Sequence, residues 1–250
     1  TPRSRAASSI AALARRLSVQ GGSVELELES AQAWMALDDR ALETLFVRLR
    51  ELKKFEVAER VGLWASGKKH LTDARGCVAL MKVHARTGNW EGAHHLLDYM
   101  SAAALRADVV ALDAAIRACG SGLQWQQAVH LLDRASMMDV RPDVALFTSA
   151  QKACGTGLQW QWTLELLEVM RGHGLDPDTV SYSATIDACG KAGQSELAIA
   201  LLDVMERARA MPNEVSYSAA IRACGTPGLW HRSLEMLEAA ASAGVKLDVV

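Results

Sequence analysis

Four Cys-Gly pairs, beginning at Cys119, Cys154, Cys189 and Cys224, recur every 35 residues. A fixed period of this length constrains the fold more than any local propensity does. Each period must be one small structural unit that cannot bury its own apolar side and therefore stacks on its neighbours. The register extends beyond the cysteines. Leu131-Leu132, Leu166-Leu167, Leu201-Leu202 and Met236-Leu237 keep the same interval, as do Trp125, Trp160 and Trp230, while Pro142, Pro177 and Pro212 close three units. The full repeats are 109–143, 144–178, 179–213 and 214–248, and Val249 starts another. A weaker copy over 74–108 keeps Trp90, Ala93, Leu96-Leu97, Met100 and Asp108, with Cys77 out of register. Residues 39–73 form a degenerate copy with Leu42, Leu45, Phe46 and Leu49 at helical spacing.

Within 179–213, Tyr182, Ile186 and Cys189 fall on one helical stripe and Leu197, Leu201, Leu202 and Met205 on a second. Each unit therefore reads as a helical hairpin, with Gly190 and Gly193 bracketing its connection and Pro212 stopping its second helix. With only three Phe, three Tyr and five Pro in the chain, composition also favours helix over sheet. The predicted fold is all-α: a right-handed α-solenoid superhelix of stacked helix-turn-helix repeats, with a concave face suited to extended ligands. Charged residues interrupt every run approaching the roughly 20 apolar residues that a membrane span needs, so no membrane partner is expected.

Residues 1–22 carry Arg3, Arg5, Arg15 and Arg16 without an acid. This segment reads as an organellar transit sequence, chloroplast or mitochondrial, or as a basic tail. Residues 23–38 form a linker and helical lead-in. The five cysteines include no CxxC pair, and stacked hairpins hold equivalent positions too far apart for disulfides, so small core residues are expected. His94, His95 and His130 lack companions at metal-ligand spacing. No cofactor and no metal are expected, and without a GxSxG or Walker motif the chain is not expected to be an enzyme. The net charge is -2, and residues 73–250 carry 15 basic against 20 acidic side chains. That balance opposes a polyanionic ligand.

The runs Ser181-Tyr-Ser-Ala-Thr-Ile-Asp-Ala-Cys-Gly-Lys-Ala-Gly193 and Ser216-Tyr-Ser-Ala-Ala-Ile-Arg-Ala-Cys-Gly225, with the ending Gly174-Leu-Asp-Pro-Asp178, resemble the pentatricopeptide repeat family. The resemblance covers 74–250 firmly and 39–73 loosely. It implies single-stranded RNA binding at one nucleotide per repeat, in organellar RNA processing, stability, splicing or translation, with other RNA-processing proteins as partners. In this family the fifth and last residues of a unit read the base, and the second residues sandwich it. On this chain the reading pairs are Asp113 with Asp143, Thr148 with Asp178, Ser183 with Asn213, and Ser218 with Asp248. The sandwiching residues are Val110, Ala145, Val180 and Val215, and Lys191 matches the family's turn lysine, with Arg86 as a substitute.

A carboxylate only accepts hydrogen bonds, so Asp178 and Asp248 suit bases with N–H edges, whereas the amide of Asn213 permits adenine. With the family's preference of hydroxyls for purines, residues 144–248 spell G-A-G, 5′ to 3′. Two carboxylates at Asp113 and Asp143 repel unless a donor intervenes, and no base is assigned there or at Val78 with Asp108. Two alternatives stay open. The unit-end residues also suit helix capping, and the function reads alternatively as a protein-binding scaffold, which the acidic balance and sparse turn lysines suit, or as the RNA-binding part of a larger enzyme.

Overall fold

The computed structural model describes residues 12–14, 39–67, 71–225 and 230–247. The rest of the 1–22 transit-like segment, the 23–38 lead-in, Thr226 and Asp248 lie outside the described residues. The chain divides into two compact units with the boundary between Gly122 and Leu123. Among the described residues, helices account for the regular structure of both, so the fold class is the all-α solenoid of stacked hairpins.

In the first unit, α1 (Asp39–Glu51), α3 (Ala74–Thr87) and α5 (Val109–Ser121) are the first helices of successive repeats, and α2 (Phe55–Gly67) and α4 (Trp90–Ala102) are second helices. The first helices pack side by side, α1 on α3 and α3 on α5, and each second helix packs against the first helices before and after it. The second unit repeats the scheme. Helices α7 (Val144–Thr156), α9 (Thr179–Lys191) and α11 (Glu214–Ala223) form the first-helix row. Helices α6 (Trp125–Met137), α8 (Trp160–Gly172), α10 (Ser195–Arg207) and α12 (Trp230–Ser242) form the second-helix row.

The starts of the first helices are set by the unit-end residue. Asp73, Asp108, Asp143, Asp178 and Asn213 hold extended backbone and accept a hydrogen bond from a backbone N–H two or three residues on. Each therefore satisfies a donor that the helix itself leaves unpaired. The turns are equally periodic. Gly88, Leu123, Leu158 and Gly193 occupy one register position and are all left-handed, at φ 73°, 58°, 56° and 74°. Leucine accepts this conformation at a cost that glycine does not incur, so the geometry belongs to the repeat and not to a glycine signal.

Two of the glycines that follow a cysteine, Gly155 and Gly190, have a packing task, which for Gly190 differs from the expected one. Gly190 does not open the hairpin connection but lies inside α9, where a Cβ would stand 3.0 Å from Ala223 Cβ of α11. Gly155 likewise faces Ala188 Cβ at 3.4 Å. Small residues there let successive first helices approach closely. Trp125 packs its indole over Gly157, whose added Cβ would come within 2.7 Å of the ring. The expected apolar stripes form the core: Tyr182, Ile186, Cys189, Leu201, Leu202 and Met205 are all buried, while Leu197 is half-buried and Ala198 takes the inner position.

All five cysteines are buried and outside any disulfide. Burial raises the Cys119 and Cys154 thiols to about 12 and that of Cys189 to about 11, because a thiolate loses its hydration there. At pH 8, alkylation of these three thiols in the native protein is expected to be at least about two orders of magnitude slower than in denaturant. Rapid labelling of the folded chain would contradict their placement.

Candidate nucleic-acid interface

Residues 2, 5 and 9 of a first helix lie at i, i+3 and i+7 and so share one stripe. From Arg75 to Arg222 its second and ninth residues are exposed, Asp187 aside, while its fifth residues lie lower, toward the seam where successive first helices meet. In the first unit, the stripe lines a cavity of about 270 Å³ over α1, α3 and α5. The wall is drawn from equivalent register positions: the second residues Arg75 and Val110, the fifth residues Glu43 and Val78, the ninth residues Val47 and Lys82, and the unit-end Asp108, with Arg50 beside them. Asp108 Oδ1 is tied to Ala111 N at 2.9 Å as a helix cap. Asp113 is half-exposed, with Arg117 Nη1 at 3.8 Å from its Oδ2. A cation therefore stands beside the carboxylate whose repulsion with Asp143 left that repeat unassigned.

In the second unit, Val180 and Val215 are 45% and 58% exposed, Ala145 is exposed, and in the first unit Val110 is 45% exposed. Isolated β-branched side chains kept on an otherwise polar helix face offer flat apolar contact, as sandwiching a planar base requires. The fifth residues behave differently. Thr148 and Ser183 are only 5% and 4% exposed, recessed between adjacent first helices, while Ser218 is half-buried. Thr148 Oγ1 lies 2.8 Å from Val144 O and 2.8 Å from Ser181 Oγ. Ser183 Oγ lies 2.6 Å from Thr179 O and 2.8 Å from Ser216 Oγ. They are floor residues of the stripe, not arms projecting from it.

The unit-end residues cap helices as one of the two sequence readings had it, yet the cap occupies only one of their two terminal atoms. Asp143 Oδ1 accepts from Leu146 N at 2.8 Å. Asp178 Oδ1 accepts from Ser181 N at 2.8 Å and Asn213 Oδ1 from Ser216 N at 3.1 Å. Asp178 and Asn213 are exposed, and among the described residues Asp178 Oδ2 and Asn213 Nδ2 take no protein partner. The outward atom is an acceptor in Asp178 and a donor in Asn213.

The ninth residues were missed in the sequence. Lys82 and Arg117 in the first unit, and Lys152 and Arg222 in the second, are exposed on the first-helix stripe. Asp187 breaks the series, but it is held between Lys191 Nζ at 2.7 Å and Arg222 Nη2 at 2.6 Å, so two cations answer one acid. The acidic excess sits elsewhere: Glu165, Glu168, Glu196, Asp203, Glu206, Glu235 and Glu238 are exposed on second helices. A net count over the region averages two helix rows of opposite character. The 35-residue spacing of Lys82, Arg117, Lys152 and Arg222 was the signal that could have found them.

Comparison with known families matches "PPR repeat family" over residues 177–226, "Pentatricopeptide repeat domain" over 130–192 and "PPR repeat" over 77–103. Comparison with curated protein sequences finds no match. Among solved structures, the chain is similar to the pentatricopeptide repeat protein PPR10 from maize, with 23% identity and a TM-score of 0.75 over 98% of this chain and 35% of that one. It is also similar to PPR10 in complex with an 18-nucleotide psaJ RNA element, at 22% identity, TM-score 0.72, 96% of this chain and 35% of that one. The PPR domain of Arabidopsis thaliana protein-only RNase P 1 in complex with tRNA is more distant, at 13% identity and TM-score 0.56, covering 67% of this chain and 89% of that one. At these identities the likeness establishes the fold, and the chain spans about a third of the length of the PPR10 structures.

Proposed function

Because the chain belongs to the pentatricopeptide repeat family, we propose that it binds single-stranded RNA along the first-helix stripe, one nucleotide per repeat. The observation that carries this reading is the cavity over α1, α3 and α5, where second, fifth, ninth and unit-end residues of successive repeats meet. At the equivalent positions of the second unit, a base would meet apolar flanks at Ala145, Val180 and Val215, a polar floor at Thr148 and Ser183 and a unit-end acceptor or donor, while the ninth-residue cations would lie where a backbone passes. The similarity to a PPR10–RNA complex supports the same ligand class.

In this reading, Thr148 with Asp178 selects guanine, Ser183 with Asn213 selects adenine, and Ser218 with Asp248 selects guanine. Short RNAs containing G-A-G are expected to outcompete scrambled ones in fluorescence anisotropy, with affinity falling as salt rises because phosphate contacts release counterions. Equal binding of G-A-G and scrambled RNAs would remove the sequence-reading part of the proposal. Absence of binding at low salt would favour a scaffold for proteins.

A further inference from the structure

The recessed fifth residue and the capping unit-end residue of one repeat are joined through a third side chain. Thr148 Oγ1 meets Ser181 Oγ at 2.8 Å, and Ser181 Oγ lies 2.9 Å from Asp178 Oδ1, the oxygen that also takes Ser181 N–H. One repeat on, Ser183 Oγ meets Ser216 Oγ at 2.8 Å, and Ser216 Oγ lies 3.1 Å from Asn213 Oδ1. Asn213 N–H donates back to Ser216 Oγ at 3.2 Å, which completes a capping box. Ser181 and Ser216 are fully buried. They occupy the third position of the following repeat, so the link spans two repeats and touches both reading residues of one.

We infer that Ser181 and Ser216 are positioning residues that set base selectivity, each fixing the orientation of the preceding unit-end side chain and tying it to the fifth residue. The inference rests on the RNA-reading proposal above. The terminal torsion of an Asp or Asn is intrinsically broad and nearly two-fold, and a lone backbone cap opposes its rotation with a single hydrogen bond. For Asn213 a flip exchanges amide and carbonyl, and with them a donor for an acceptor at the base. Two donors from Ser216 converging on Oδ1 hold the oxygen inward and the Nδ2 outward. Protons are also accounted for. Each hydroxyl has one proton, so the two donors at Asn213 Oδ1 require Ser183 to donate to Ser216 Oγ. With Ser183 turned to Thr179 O instead, Ser216 donates to Ser183 and Oδ1 keeps the backbone N–H alone, and Thr148 with Ser181 divides in the same way. In both arrangements the fifth residue offers a base only lone pairs. Repeats with Ala111 or Leu146 at this position keep the backbone cap alone. The unit-end residues of those caps, Asp108 and Asp143, belong to repeats 74–108 and 109–143, to which no base was assigned.

The test is Ser216→Ala and Ser216→Thr in the full chain, with competing RNAs that differ only at the base opposite 179–213. Ser216→Ala keeps the backbone cap and is expected to lower adenine-over-guanine discrimination roughly 3- to 10-fold, the worth of one hydrogen bond. Discrimination at the preceding guanine should stay unchanged, and Ser216→Thr should restore the loss. Equal weakening of all RNAs with discrimination intact would overturn the inference, since a structural serine acts that way. If Ser216→Ala does not fold, Ser216→Cys, a weaker donor, should give intermediate discrimination. Without RNA, side-chain relaxation of the Asn213 amide should show a more ordered group in the wild type than in the variant; equal order would also overturn it. Failure of the wild type to discriminate any RNA sinks the RNA reading instead, and the relaxation result still judges the serine.

Discussion

Asn213→Asp is expected to move the preferred base opposite residues 179–213 from adenine to guanine, changing the ratio of affinities by about 5- to 150-fold, the range of a well-placed base contact. The cap predicts this direction. Oδ1 is held by Ser216 in either residue, so the substitution leaves the inner half of the side chain alone and replaces only the outward Nδ2 by Oδ2. A donor becomes an acceptor. The ring nitrogen of adenine that accepted a hydrogen bond then faces a carboxylate lone pair, whereas the corresponding guanine N–H gains a partner. The helix should not suffer, because a carboxylate at a helix N-terminus is at least as favourable as an amide. Competition binding with RNAs differing at that one base measures the shift. Retained adenine preference in a folded variant would mean that the unit-end residue caps the helix and reads nothing.

The sequence exposed the repeat because every unit must bury the same positions against its neighbours, and burial leaves a strong periodic mark at residues such as Cys154, Cys189, Leu166 and Leu201. The capping role of Asp178 and Asn213 was legible, but not which atom the cap leaves outward, since a sequence does not say which atom turns inward. Gly190 was misread for a related reason. A glycine followed by a polar residue looks like a turn, and only the close approach of Ala223 reveals a packing role. The depth of Thr148 and Ser183 was hidden as well, because hydroxyl residues suit a surface and a satisfied interior equally. The basic series was present in the register and lost in the total.

Removing that series together, as Lys82→Ala, Arg117→Ala, Lys152→Ala and Arg222→Ala, is expected to give the largest loss of affinity of any surface change. If each cation neutralises one phosphate, the slope of log K against log salt concentration should fall by up to about 3, taking about 0.7 per contact for a single strand. The loss should be nearly the same for G-A-G and scrambled RNAs, because phosphates carry no sequence, and it should shrink at high salt. Stability should change little, since all four side chains are exposed. A matched control neutralises Glu165, Glu168, Asp203 and Glu206 on the second helices, altering net charge by the same amount in the opposite sense. If net charge governed binding, the two sets would act with equal size and opposite sign. If the first-helix stripe is the path of the strand, the basic set changes the slope and the acidic set leaves it nearly untouched. An unchanged slope in the basic variant would place the phosphates elsewhere on the molecule.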